Sequence, residues 1–367
     1  MMLRDMESAH VMLDVGMIYM IMVQKLSSLA YNYHDGKYYK DHDFLQKAHP
    51  KGAVKNKAVF ELPQYLQVLS YSYNFFGIMG GPMIFFKDYL EGIEGGYGKE
   101  TVKGGSNTKV ATKKFLKSLC FLVLVDRLET KFGNSSLITK RAWVEQASLQ
   151  TKLLLPSAFL MIQRYKYYFF WLLAESINNF AGIGYNKNED NWDLISNNNI
   201  FKVEFAQNTQ QMINNWNMGT ARWLRLIVFE RVPKNFKFLA VPGTFLLSAV
   251  WHGFWPGQYV FFVLTNFTLM AYKNLNKSII PWLEYKTNNN RKIIDLVYFW
   301  GSLLQHIVFN LNGICFTILQ TWDRTVFYYR ACYYIPQILS LMGALIPWKK
   351  VLFVPKDAKD RAEKKKL

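Results

Sequence analysis

The sequence predicts an all-α protein held in a membrane by roughly seven to nine helical segments. Three observations lead there. Hydrophobic residues make up 51% of the chain and aromatic residues 17%, against only 26 acidic residues among 367. The apolar residues gather into runs approaching the ~20 residues that a spanning helix needs. No alternating strand pattern, heptad run or internal repeat accompanies them, so a transmembrane barrel is disfavoured. The mean hydropathy is near zero because these runs are averaged with polar loops, notably Glu94–Lys117 and Asn186–Asn199.

Taken in order, the first segment is Val11–Tyr31, with Asp14, Gln24 and Lys25 inside it. Leu66–Tyr89 is aromatic and broken at Gly80-Gly81-Pro82. Phe115–Val125 is short for a span, and Leu153–Ile183 is long and holds Arg164, Lys166 and Glu175. Phe238–Tyr272 is the most apolar stretch, followed by Ile293–Leu319 and Val326–Trp348. Charges and helix breakers recur in these runs. Backbone leaves the helix at membrane depth only where protein or water shields it. A helical assembly enclosing a tunnel or chamber is therefore expected. As one helix, Phe238–Tyr272 would be about 52 Å long, against a hydrocarbon core of about 30 Å. Gly253, Pro256 and Gly257 predict two shorter helices, with His252 at the junction and facing the protein interior.

The formal charge is +18. Its basic residues flank apolar runs, at Lys37–Lys57, Lys99–Lys117, Lys273–Lys292 and Lys349–Lys366, rather than alternating with aromatics on one face. That placement suits cytoplasmic loops or a polyanionic substrate and argues against nucleic acid. Cys120, Cys315 and Cys332 are far apart and offer neither a disulfide framework nor a zinc spacing. Met1–His10 lacks the pattern of a cleavable signal peptide.

His252 stands in Ser248-Ala-Val-Trp-His-Gly-Phe-Trp-Pro-Gly257. A titratable ring at membrane depth is a functional candidate by default, and the bland reading is a histidine that bonds two helices together. His306 has no motif around it and reads as a hydrogen-bonded core residue. His34, His42 and His49, with Asp35, Asp41 and Asp43, read as a solvated loop and match no metal-site spacing. A second constellation runs from Asn215 to Trp223. On a helix, Trp216, Thr220 and Trp223 fall at i, i+4 and i+7, Asn217 shares a side with Thr220, and Arg222 and Arg225 form a basic edge. The bland reading there is an interfacial helix with tryptophan anchors. Gly92–Lys99 is not a P-loop, because its glycine spacing is wrong and Glu100 replaces the magnesium-binding hydroxyl. No Gly-x-Ser-x-Gly elbow and no His-Glu-x-x-His are present, so an enzyme here uses neither of those chemistries.

Together the two constellations resemble the membrane-bound O-acyltransferase family, in particular its lysophospholipid acyltransferase branch. The pattern Glu-x11-Trp-Asn-x2-Thr-x2-Trp is met by Glu204, Trp216, Asn217, Thr220 and Trp223. Trp251, His252 and Gly253 supply Trp-His-Gly, with His252 35 positions beyond Asn217. Further likeness lies in Gln24-Lys-Leu-Ser-Ser-Leu, Gly80-Gly-Pro82, and Lys166-Tyr-Tyr168 with Trp171 and Glu175. The resemblance implies transfer of a fatty acyl group from acyl-CoA, as co-substrate, to the free hydroxyl of a lysophospholipid. It implies no metal and no resident cofactor. His252 is then the general base, and Asn217 orients the acyl donor or donates to its carbonyl oxygen. Trp216, Thr220, Trp223, Glu204 and Trp251 become substrate-contacting candidates, with Arg222 and Arg225 directed at the CoA phosphates.

The resemblance makes residues 1–348 a membrane-embedded acyltransferase domain and 349–367 a basic cytosolic tail. It also leads one to expect further membrane segments ahead of Val11–Tyr31, so part of the helical wall is expected to be missing. The tail ends Lys364-Lys-Lys-Leu367, which reads either as a dilysine retrieval signal of the endoplasmic reticulum membrane or as a solvated basic end. Asn134-Ser-Ser136 is a glycosylation sequon. Two alternatives stay open: the same chemistry on a sterol, diacylglycerol or protein, which Glu204 at its spacing disfavours, and a lipid-binding scaffold without turnover.

Overall fold

Helices form along the apolar runs, and several of them end beside a glycine, proline or asparagine. The computed structural model describes residues 15–38, 56–95, 106–133 and 135–352. In chain order its main helices are α1 (Val15–Tyr38), α2 (Tyr65–Ser72), α3 (Phe86–Ile93), α4 (Asn107–Phe132), α5 (Leu149–Phe180), α6 (Ile200–Glu204), α7 (Thr209–Asn215), α8 (Met218–Ile227), α9 (Ala240–His252), α10 (Pro256–Lys286), α11 (Arg291–Ile314), α12 (Trp322–Ala331) and α13 (Ile335–Leu345). A π-helical turn, Cys315–Leu319, continues α11. Among the described residues there is no strand, only a bridge between Asn186 and Asn191. The all-α expectation holds. One helical stretch among the described residues, Arg291–Leu319, has both the length and the apolar composition to cross a membrane. The helices α1, α4, α5 and α10 have the length but carry charged residues.

The chain divides into two compact units. The first is drawn from Met1–Phe121, Tyr168–Asn197 and Met218–Lys237. Its core gathers Tyr71, Ile84, Phe86, Tyr89, Ile183 and Ile195. The break expected at Gly80-Gly81-Pro82 is present, with a cis bond before Pro82. The Trp171 indole donates to the Gly80 carbonyl at 3.1 Å, and a Cβ on Gly80 would come within 2.4 Å of the Phe170 ring. Two charged residues of α1, Lys25 and Asp35, are buried and engaged. Lys25 donates to the Tyr71 carbonyl at 2.8 Å, and Asp35 takes two hydrogen bonds from Arg231, at 2.7 and 3.0 Å.

The second unit is drawn from Leu122–Tyr167, Asn198–Asn217 and Phe238–Leu367. Its core includes Phe159, Ile162, Ile314, Cys315, Tyr328 and Tyr329. The run Phe238–Tyr272 breaks where expected, into α9 and α10, although α10 continues past Tyr272 and through Pro281 to Lys286. Val326–Trp348 is also interrupted, at Tyr333 and Tyr334, whose φ angles are +53° and +52°.

Candidate active site

His252 is the last residue of α9. Gly253 follows at φ +130°, a backbone conformation open to glycine alone, and its N–H returns to the carbonyls of Ala249 and Val250. α10 opens on Pro256, where the missing N–H costs no helical hydrogen bond. The half-buried His252 ring lies among aromatics. Trp251 is 4.6 Å away between ring centroids, Phe316 meets it edge-on at 4.7 Å, and Phe262 stacks at 5.8 Å. Among the described residues neither ring nitrogen has a hydrogen-bond partner. The backbone, by contrast, is fastened. Gln258 Nε2 donates to the His252 carbonyl at 3.3 Å, and the Tyr259 hydroxyl donates to the Gly253 carbonyl at 3.1 Å. The bland reading, a histidine bonding two helices, is not what these atoms do.

Asn217 belongs to the same unit as His252. It stands ahead of α8 rather than on it. The stripe expected at Trp216, Thr220 and Trp223 is therefore corrected, because the helix begins at Met218 and takes in only the last two. Trp216 is extended, with φ −104° and ψ 132°, and Asn217 is left-handed, with φ +46°. The cause is a pair of asparagines that cap the start of α8. Asn198 Oδ1 accepts the Asn217 N–H at 3.2 Å, the Asn197 carbonyl accepts that of Met218 at 2.8 Å, and Asn197 Oδ1 accepts that of Gly219 at 2.9 Å. Asparagine tolerates the left-handed region better than most residues. The Asn217 side-chain amide has no partner among the described residues, and no hydrogen bond joins it to His252.

The remaining motif residues separate into two groups. Thr220 and Trp223 are buried in the first unit, where Gln24 Nε2 donates to Thr220 Oγ1 at 2.8 Å and Trp223 Nε1 donates to Ser27 Oγ at 2.9 Å. Arg222 is half-buried, and Arg225 is exposed and paired with Glu230 at 2.8 Å. In the second unit, Trp216 meets the Tyr167 ring at 5.8 Å. Both Glu204 oxygens accept from Arg164 at 2.8 Å, and Arg164 reaches Asn310 at 3.1 Å. Sequence reasoning noted Arg164 only as a charge in an apolar run. The missed signal was that a buried cation demands a carboxylate, and Glu204 supplies it.

His306 Nε2 contacts the Ala206 carbonyl at 2.8 Å, as a core histidine does. Asp35 is engaged by Arg231 rather than by a metal, and the described residues contain no group of three or more metal-binding side chains. Cys120, Cys315 and Cys332 are free thiols. His10, Asp41, His42, Asp43, His49, Asn134 and Lys364–Leu367 lie outside the described residues.

The model of the membrane-bound O-acyltransferase family matches residues 8–317. The chain belongs to this family. It is a membrane protein accordingly. "Lysophospholipid acyltransferase 6" of Drosophila melanogaster is 33% identical over 362 residues, covering 91% of the chain and 47% of that protein. "Membrane-bound glycerophospholipid O-acyltransferase 2" of Homo sapiens is 31% identical over 353 residues, covering 90% of the chain and 64% of its own length. "Lysophospholipid acyltransferase" of Saccharomyces cerevisiae is 28% identical over 284 residues, with coverages of 70% and 44%. The chain thus spans 44–64% of the length of these three relatives.

Proposed function

We propose that this chain transfers a fatty acyl group from acyl-CoA to the free hydroxyl of a lysophospholipid. The observation that carries the proposal is the His252 ring, whose nitrogens have no partner among the described residues and which is walled by aromatics. It stands in a chain whose family acylates oxygen. The acceptor class follows from the relatives' names and from Glu204 at its spacing.

An alcohol is a poor nucleophile until a base relieves it of its proton. In the proposed reaction, one His252 nitrogen takes the hydroxyl proton as the oxygen attacks the thioester carbonyl. The tetrahedral intermediate collapses, the C–S bond breaks, and the sulfur of CoA leaves with that proton. General-base help contributes roughly 10²–10⁴-fold, short of the ~10⁶-fold or more typical of enzymes. Positioning of the donor and a hydrogen bond to the carbonyl oxygen supply the rest, and the Asn217 amide is assigned to that task. Transfer is direct, with no acyl-enzyme. Arg222, Arg225 and the loop lysines are assigned to the CoA phosphates.

The finer setting is part of the same proposal: roughly seven to nine membrane segments around a tunnel for the acyl chain, in the endoplasmic reticulum membrane, with residues 349–367 cytosolic. Membranes containing the chain, given labelled acyl-CoA and a panel of lysophospholipids, should form diacyl product. His252→Ala should cut it by about 10²–10⁴-fold and Asn217→Ala by about 10²-fold or more. Full activity in both variants sinks the proposal, and product from diacylglycerol or a sterol but from no lysolipid would move the acceptor class.

A further inference from the structure

A general base must hold its ring at one angle to the incoming hydroxyl. In His252 no hydrogen bond among the described residues sets that angle. Among the described residues its ring meets those of Trp251, Phe262 and Phe316, and the tightest of these contacts outside its own chain neighbour comes from Phe316, edge-on at 4.7 Å and 89°. Phe316 lies in the π-helical turn Cys315–Leu319. Such turns are rare and occur frequently at functional sites.

The turn is anchored at both ends. Asn312 precedes it and is fully buried. Its amide nitrogen donates to Ser340 at 3.0 Å and Thr268 at 3.2 Å, and its amide oxygen accepts from Gln337 at 3.0 Å. Its carbonyl accepts from the Tyr329 hydroxyl at 3.0 Å and the Cys315 thiol at 3.1 Å. Both ends of the Asn312 amide are engaged, which stiffens this end of the turn. At the far end the Gly257 N–H donates to the Gln320 carbonyl at 2.7 Å. A Cβ on Gly257 would lie 2.1 Å from the Cys315 carbonyl oxygen, so only glycine allows the approach. The stretch that follows His252 is thereby joined to the turn that carries Phe316.

We propose that the π-helical turn is a positioning device for His252, with Phe316 setting the angle of the imidazole and Tyr259 and Gln258 setting its backbone. The proposal rests on His252 being the base. Misplacement by about 1 Å can cost about 10²-fold in rate, so a modest loosening is readable in kcat.

The test uses the full chain in membranes, assayed with acyl-CoA and lysophospholipid. Phe316→Leu should lower kcat about tenfold or more while both KM values stay within about twofold, and Phe316→Tyr, which keeps the ring edge, should recover most of the loss. Unchanged kcat in Phe316→Leu, an effect confined to KM, or equal loss in both variants overturns the proposal. Should Phe316→Leu fail to accumulate, Tyr259→Phe removes a hydroxyl and no volume. It should lower kcat by about three- to tenfold, and wild-type kcat there overturns the proposal as well. His252→Ala separates the two layers. An inactive His252→Ala beside an unaffected Phe316→Leu removes only the positioning, whereas an active His252→Ala removes the base and the positioning together.

Discussion

The start of α8 and the end of α9 carry the two motif segments, and they put polar side chains to opposite uses. In α8, Thr220 and Trp223 are buried and spend their polar atoms on α1, through Gln24 and Ser27. At the two helix boundaries, Asn217 and His252 have fastened backbones and side chains without partners among the described residues. Both pairs look equally polar in the sequence. What distinguishes them is engagement: Thr220 and Trp223 are buried and hydrogen-bonded, whereas the half-buried Asn217 and His252 keep their polar side-chain atoms open, and that openness asks for an explanation. Catalysis by a preorganised amide and imidazole is one such explanation. Substitutions at four positions can break or sharpen the contrast, and the positions are taken from the largest expected effect to the smallest.

His252→Ala should cut acyl transfer by about 10²–10⁴-fold, the usual contribution of a general base. It should lower the melting temperature of the purified protein less than Trp223→Ala does, since aromatic packing but no side-chain hydrogen bond is lost. A large drop in melting temperature would instead place His252 with Thr220 and Trp223. Trp223→Ala is the mirror case. It removes a ring that is 2% exposed and should cost about 3–5 kcal/mol of stability, read as loss of folded protein on detergent extraction. Trp223→Phe keeps most of the volume and loses one hydrogen bond, about 1 kcal/mol.

Asn217 needs a cleaner probe than alanine, because its φ of +46° suits asparagine and glycine but strains alanine. Asn217→Gly keeps the backbone relaxed and removes only the amide. Acyl transfer should fall by about 10²-fold with stability unchanged, the loss expected for one donor to a developing oxyanion. Wild-type turnover in Asn217→Gly would reduce Asn217 to a turn residue and leave His252 as the sole chemical group of the pair.

Much of this was legible in the sequence, and unevenly so. The break after His252 followed from length and from Gly253 and Pro256, and it lies where those residues put it. The Trp216–Trp223 stripe failed because periodicity sees spacing and not caps. Asn197 and Asn198, some twenty positions upstream, end the helical register before Asn217, and nothing in the local pattern announces a cap from that distance. The Arg164–Glu204 pair was hidden for the same reason, since its members are 40 positions apart. The π-helical turn leaves no composition signal at all. It exists because Asn312, Gly257 and Gln320 converge in space.

Thr220 comes last of the four positions, and Thr220→Val is the most diagnostic substitution of the α8 side. It keeps the shape of the side chain and removes the oxygen that accepts from Gln24 Nε2. Gln24 is fully buried, and its Oε1 already has no hydrogen-bond partner. The valine variant would leave the whole Gln24 amide unsatisfied, at about 1–3 kcal/mol. Replacing both residues, Gln24→Leu with Thr220→Val, removes the stranded donor as well. The double variant should therefore be more stable than Thr220→Val alone, and turnover by the folded fraction should match wild type in both. If Thr220 instead contacts the substrate, KM for the lysophospholipid would rise in the single and double variants alike. That outcome would move Thr220 across to the side of Asn217 and His252.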